Sequence, residues 1–277
     1  MNTITEEKIQ TGEEIAPPGT PDMTVKTESG EVLVMPYQYA EDEVYEVESL
    51  GKIPFKPFYS FVKRTFDIVV SLLALIALAI PMLIIAIAIR VSSPGPVIYR
   101  QERLGLNGRK FTILKFRSMR QDAEAGGAMW SGGDADDRIT PIGRVLRKFR
   151  LDELPQLFCT LIGTMTLVGP RPERECFYIE FEKHVHGFSE RLKVKPGITG
   201  YAQVHGGYDL PPQEKVKWDI EYIKHRSLWL DIRILFRTVG VVFSHDGAKL
   251  RRGSTLHIEN EFPYGRRSEF VALQSGR

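Results

Sequence analysis

The amino-acid sequence predicts an α+β fold, mainly helical: a membrane-attached, monotopic protein with one proline-kinked re-entrant helix, a small β-hairpin and a cytosolic helical domain. Three observations predict it. An uncharged apolar run, Ile68 to Ile89, is interrupted by Pro81. Apolar and polar residues alternate on both sides of Asn107-Gly108. Apolar residues recur at helical spacing around residues 139–149 and again across 212–243. These features divide the chain into an acidic extension (1–55), a membrane segment (60–92), a cytosolic domain (93–245) and a basic C-terminal tail (246–277).

The 277 residues, 43% of them hydrophobic, suffice for one large or two modest domains. A formal net charge of +2 conceals an asymmetry, because residues 1–50 hold twelve Asp and Glu against two Lys, a balance of −10. The remainder therefore carries +12. A body that basic suits an anionic partner: lipid head groups, a phosphorylated substrate or nucleic acid. Cys159 and Cys176 form no CxxC pair and stand near no histidine cluster, which reads as free thiols in a reducing compartment and indicates no zinc site. The six histidines are scattered and read as structural. The acidic N-terminus has no apolar stretch after its first residues, so no cleavable signal peptide is expected. Pro, Gly, Thr and Glu outweigh large apolar side chains in the extension, which reads as mostly disordered; "EVLVMPYQY" is its one strand-like stretch.

As a helix, the run Ile68–Ile89 would measure roughly 33 Å, enough to cross a bilayer. Pro81 removes one backbone donor, and its ring clashes with the carbonyl of Ala77, so a kink is expected. Both flanks are basic, with Lys63 and Arg64 before the run and Arg90, Arg100 and Arg103 after it. The positive-inside rule then favours both ends on the cytoplasmic side. A helix that enters, bends at Pro81 and returns satisfies both constraints; an ordinary kinked span is the alternative.

The hairpin predicted around Asn107-Gly108 carries Arg100, Arg103, Arg109, Lys110, Lys115 and Arg117. These cations suit lipid phosphates or a substrate phosphate, with a solvated basic face as the plain alternative. Farther on, Ile139, Ile142, Val145, Leu146 and Phe149 predict a helix that breaks at Arg150-Leu151. Asp152 is then placed to cap a second helix whose first turn holds Glu153, Leu154 and Pro155. A plain N-cap would account for Asp152, but Arg144, Arg147, Lys148 and Arg150 precede the two carboxylates and "LVGPRPE" brings another arginine soon after. Such a density of cations at a helix start suits a phosphate ester or diphosphate. A carboxylate facing a diphosphate can hold a metal or attack phosphorus. Adjacent residues at a helix start point roughly 100° apart, so Asp152 and Glu153 can divide those two tasks.

"KFRSM" (115–119), "LDELPQLF" (151–158), "VGPRPE" (168–173) and "KPGITGYAQVHG" (195–206) stand in the order and spacing of the bacterial sugar transferases, the monotopic phosphoglycosyl transferases, and the chain resembles that family from about Lys63 to Phe243. The resemblance implies transfer of a sugar 1-phosphate from a UDP-sugar to undecaprenyl phosphate, with release of UMP. It implies Asp152 as nucleophile, Glu153 as a Mg²⁺ ligand and a covalent phosphosugar intermediate in a ping-pong sequence. Arg147 matches a phosphate-contacting arginine, and Arg171, Lys195, Gly197, Lys115 and Arg117 fall in motifs expected around the substrate. The implied setting is the cytoplasmic face of a bacterial inner membrane, at the initiating step of exopolysaccharide, capsule or glycoconjugate assembly, with membrane lipids and downstream glycosyltransferases or a second copy as partners. Two departures stand out. Ile80-Pro81 replaces the Ser-Pro pair frequent in the family, and Cys159 follows "DELPQLF" where Asn is common.

The stretch 212–243 reads as a long amphipathic helix with Trp218, Tyr222, Trp229, Leu230 and Leu235 among its apolar positions. It suits a membrane interface or packing against the core. No helix-turn-helix, zinc-finger or RNA-recognition signature appears, so nucleic acid is not an expected partner. The alternative from another class is a non-catalytic membrane-attached scaffold that recruits partners through the acidic extension.

Overall fold

The computed structural model describes residues 23–26, 32–35, 44–125, 128–129, 136–206 and 210–243. The basic tail, 246–277, and most of residues 1–43 lie outside the described residues. Along the chain come β1 (Met23–Lys26), β2 (Val32–Met35), β3 (Tyr45–Glu46), the helices α1 (Pro57–Ala77) and α2 (Ala79–Ser92), and strands β4 (Ile98–Leu104) and β5 (Lys110–Phe116). Next are β6 (Ala128–Met129), α3 (Pro141–Lys148), α4 (Gln156–Ile162), β7 (Thr166–Val168) and α5 (Glu175–His184). Last come β8 (Val185–His186), β9 (Gly197–Thr199), α6 (Tyr201–Gly206), α7 (Pro212–His225) and α8 (Leu228–Phe243). The chain folds as two bodies, Met1–Gln38 with Asp122–Arg138, and Tyr39–Gln121 with Ile139–Arg277.

In the smaller body β1 pairs antiparallel with β2, and β2 pairs parallel with β6. The Arg138 guanidinium grips the Asp136 carboxylate through Nε and Nη2, at 2.7 and 2.5 Å. The extension that composition reads as disordered thus supplies two strands here, one of them inside "EVLVMPYQY".

In the larger body α1 and α2 meet at Leu78 with a bend of 62°. No single described helix is long and apolar enough to cross a membrane, but the bent pair satisfies length and composition together. The break falls at the residue after Ala77, the carbonyl that Pro81 cannot serve, and Pro81 itself sits in the first turn of α2, where no backbone donor is needed. One side of the pair is apolar and exposed: Leu73, Ile76, Ile80, Leu83 and Ile84 are all at least 60% exposed. The other side is fastened to the domain. Ile89 is buried with Phe116 and Leu146, and Met82, Ile85 and Ala86 pack against that cluster.

The fastening is also polar. Arg64 donates to the carbonyls of Thr160 and Leu161 at 2.6 and 2.7 Å, in the last turn of α4, where the Thr160 carbonyl also accepts from the Gly163 amide at 3.1 Å. Asp67 is buried and accepts from Thr166 Oγ1 (2.6 Å) and from the Leu167 amide (3.1 Å) on β7. Tyr59 and Lys63 both donate to Asp231 on α8 at 2.9 Å. Lys63 and Arg64, the basic flank of the apolar run, are therefore spent on the protein's own carbonyls and carboxylates.

The hairpin forms as expected, antiparallel from Ile98↔Phe116 to Leu104↔Lys110. Its connection is five residues long, 105–109, rather than a two-residue turn, with Asn107 and Gly108 at φ 56° and 73°. α3 also forms where predicted. Thr140 Oγ1 accepts from the Gly143 amide at 3.0 Å, and Pro141 occupies the first turn. A side chain at Gly143 would meet the Ser118 carbonyl at 1.8 Å, so close packing of α3 on the strand end requires glycine.

β7 and β9 pair in parallel, Thr166↔Gly197 and Val168↔Thr199. The predicted long helix is two helices, broken at Arg226 and Ser227. α7 faces the core, with Val216, Ile220, Tyr222 and Ile223 buried, whereas α8 leaves Trp229, Phe236 and Val239 exposed. Packing against the core, one of the two readings of that stretch, thus holds for its first half.

Candidate active site

The site begins at a backbone turn. Arg150, a non-glycine residue in the left-handed region at φ 57°, ends α3 and starts a tight 3₁₀ turn, Leu151–Glu153. α4 starts only at Gln156, with Pro155 at its cap position and no side-chain cap bond, so Asp152 does not cap a helix as the sequence suggests. The turn instead points both carboxylates inward: Asp152 is 7% exposed and Glu153 is 6% exposed.

The acidities of the two neighbours are shifted in opposite directions. Arg171 forks onto Glu153, Nη2 to Oε1 at 2.7 Å and Nη1 to Oε2 at 3.2 Å, and Lys115 Nζ lies 3.8 Å from Oε1. Burial opposes the Glu153 anion, but the charge and hydrogen bonds of Arg171, with Lys115, outweigh it and hold the acid well below the usual carboxylate range. Asp152 has no such clamp. Its Oδ1 is buried without a hydrogen-bond partner. Burial, then the Glu153 charge, push its acid upward against Lys115, Arg147 and Arg171. Burial also lowers Lys115 to about 8, against the pull of Glu153.

The structure therefore brings together five of the sequence-predicted residues: Asp152, Glu153, Lys115 and Arg171, with Arg147 within electrostatic reach. Three others are placed elsewhere. Arg117 is buried and donates to the carbonyls of Pro94 and Ser93 at 2.5 and 2.8 Å, which secures the end of α2 rather than a substrate. Lys195 has Arg64 and Asp67 beside α1 as charged neighbours, and burial lowers its ammonium. Gly197 serves strand contact, since a side chain there would meet the Gly169 amide nitrogen at 2.1 Å.

Sequence reasoning missed the supports of the site. Glu173, buried, takes Arg103 at 3.0 Å and Lys215 at 3.3 Å, and Asp219, buried, takes Arg191 at 2.6 Å. Lys215 and Asp219 are four apart on the buried face of α7, and charges inside an otherwise apolar stripe are the signal that could have found them. Asp67 had a comparable signal. An acid abutting an uncharged run needs a protein partner.

Mg²⁺ takes hard oxygen ligands and keeps most of its shell for water and substrate phosphates. The dyad fits such an ion on one observation: Asp152 presents an unpartnered carboxylate oxygen beside a second carboxylate held as the anion. Among the described residues no group of three or more His, Cys, Asp or Glu side chains gathers as a metal site.

Residues 58–245 match the model of the family described as bacterial sugar transferase. The chain is 42% identical over 211 residues to a UDP-N-acetylgalactosamine-undecaprenyl-phosphate N-acetylgalactosaminephosphotransferase of Aeromonas hydrophila, covering 75% of this chain and 49% of that protein. It is 39% identical over 206 residues to a UDP-glucose:undecaprenyl-phosphate glucose-1-phosphate transferase of Escherichia coli, covering 70% and 44%. A protein of the latter name from Caulobacter vibrioides is 41% identical over 192 residues, covering 67% and 71%. The chain thus spans about half or less of the first two relatives and most of the third. With the family model matched over most of its length, the chain belongs to the bacterial sugar transferases.

Proposed function

We propose that the protein transfers a sugar 1-phosphate from a UDP-sugar to undecaprenyl phosphate, at the cytoplasmic face of a bacterial inner membrane. The observation that carries this reading is the asymmetry of the dyad: a buried, unclamped Asp152 next to a Glu153 fixed as an anion. The names of the relatives supply the substrate classes. The exposed apolar side of the bent pair α1–α2 supports a re-entrant membrane segment that leaves both flanks on one side.

The chemistry follows from the charges. A carboxylate oxygen of Asp152 attacks the sugar-linked phosphorus of the donor, and the bond from that phosphorus to the bridging oxygen breaks, so that UMP leaves with the electron pair. The phosphosugar then sits on Asp152. A phosphate oxygen of the polyprenyl acceptor attacks the same phosphorus, the bond to the Asp152 oxygen breaks, and the carboxylate is restored with the polyprenyl-diphosphate-sugar formed. Lys115, Arg147 and Arg171 surround the dyad and offset charge on the diphosphate and on departing UMP. Glu153, sharing its carboxylate with Arg171, would hold Mg²⁺, which when bound supplies further neutralisation of phosphate charge.

The test is UMP release by protein held in nanodiscs with Mg²⁺, undecaprenyl phosphate and a panel of UDP-sugars. Release from one donor is expected, with loss of at least about 1000-fold in Asp152→Asn, as for removal of an essential nucleophile. Turnover by the Asn variant at the wild-type rate would remove Asp152 from the reaction. No release from any donor would favour the scaffold reading.

A further inference from the structure

We infer that Arg191 is a positioning residue, which fixes the backbone of Arg171 and through it the clamp on Glu153; this rests on the reaction proposed above. Arg171 is flanked by Pro170 and Pro172, in a stretch from Pro170 to Arg174 outside any helix or strand. Proline has no backbone donor, so the carbonyls are the handles by which such a segment is held. Each of four in a row accepts a hydrogen bond. Pro170 O accepts from the Gly197 amide at 2.9 Å, and Glu173 O accepts from the Leu104 amide at 3.0 Å. Between them, Pro172 O accepts from Arg103 Nη1 at 3.3 Å, and Arg171 O accepts from Arg191 Nη2 at 2.9 Å.

Arg191 is thus the direct handle on the residue whose side chain grips Glu153. It is itself immobilised. Its side chain is 0% exposed, its Nε donates to Asp219 at 2.6 Å, and its guanidinium lies 4.7 Å from the Phe188 ring centre. Burying an ion pair is poor value for stability alone, because an apolar pair of similar volume does as well or better. Here Nη1 is even left without a hydrogen-bond partner. What the guanidinium offers that an apolar side chain cannot is a fork rigid enough to hold a carboxylate on α7 and a carbonyl of the site segment at once.

The experiment uses the full chain in nanodiscs and two variants. Arg191→Lys replaces the fork by a single nitrogen, and Arg191→Met with Asp219→Leu replaces the buried pair by apolar volume and guards against a fold lost to an unpaired charge. Folded fraction is measured by thermal unfolding, and kcat is expressed per folded molecule. We expect kcat to fall by about 100-fold, the scale set by small displacements of reacting groups, while the folded fraction holds. In an Arg171→Ala background the same Arg191 change is expected to add nothing, because its route of action is already gone. Unchanged kcat per folded molecule, or the same fold-loss with and without Arg171, would overturn the inference. If the wild type releases no UMP, the reaction itself falls and UDP affinity becomes the readout. An Arg171-dependent loss of UDP binding in Arg191→Lys would still support the positioning role, and equal affinities would reject it.

Discussion

At the scale of single residues, the buried charges around the site make separate demands. Glu153 is held as an anion by Arg171 and Lys115, whereas Glu173 answers two cations at once, Arg103 and Lys215. Burial opposes the Glu173 anion, but Lys215, Arg103, Arg191 and Arg171 outweigh it, so its acid lies below the ordinary value of 4.5. A carboxyl lowered on folding contributes stability that is present above its unfolded value and disappears as pH falls through the folded one. Thermal unfolding of the wild type should therefore shift downward as pH drops below about 4.5. Glu173→Gln should lose about 3 kcal/mol at neutral pH, the scale for stranding buried partners, and should lack that part of the acid dependence. An unchanged acid profile in the variant would place the sensitivity elsewhere. The dyad was legible in the sequence because its message is local: two carboxylates behind four cations. Glu173 was not, since its partners lie 70 and 42 residues away and only the fold brings them to it.

At the scale of elements, what the sequence revealed depended on whether a stop signal was local. α3 was readable from its apolar spacing together with the Thr140-Pro141 start, and the hairpin from alternation around Asn107-Gly108. The break between α7 and α8 was missed because "HRS" contains neither Gly nor Pro and the apolar spacing runs across it; its one local mark is Ser227, whose Oγ accepts from the Leu230 amide at 3.3 Å at the start of α8. Tertiary bonds hold it open: Arg226 donates to the Pro54 carbonyl at 2.7 Å, and its own carbonyl accepts from Lys56 Nζ at 3.1 Å. The α1–α2 bend is the opposite case. Pro81 marks it in the sequence, although the chain turns three residues earlier, at Leu78. Cysteine tags at both termini should be labelled from the cytoplasmic side alone. Pro81→Ala restores a donor for the Ala77 carbonyl and favours one straight helix, so in that variant a fraction of N-terminal tags should become reachable from the other side. Identical labelling of the two proteins would show that packing of α2 on Phe116 and Leu146, not proline, sets the geometry.

For the whole molecule, the informative part of the acidic extension is its described end, residues 44–56. Its composition argues for a solvated segment, yet residues 44–56 lie along the larger body as a strap. β3 pairs in parallel with β8, and the Val47 amide bonds the His186 carbonyl at 2.9 Å. The Leu50 amide donates to Glu190 at 2.8 Å, Lys193 reaches the Gly51 carbonyl at 2.9 Å, and Lys224 pairs with Glu48. These bonds were invisible to composition because they use backbone groups and exposed charges rather than buried apolar side chains. Exposed pairs contribute little, and the strap's hydrogen bonds, worth about 1 kcal/mol each, are offset in large part by the entropy of ordering its backbone, so the strap as a whole should contribute about 1–2 kcal/mol. Removing residues 1–43 should leave the unfolding temperature of the larger body and UMP release unchanged. Removing residues 1–52 should lower that temperature by about 5 °C, the shift expected for such a loss in a domain of this size. Equal unfolding temperatures for the two truncations would show that the strap contributes nothing to stability. A fall already at residue 43 would instead assign stabilisation of the larger body to the residues before the strap.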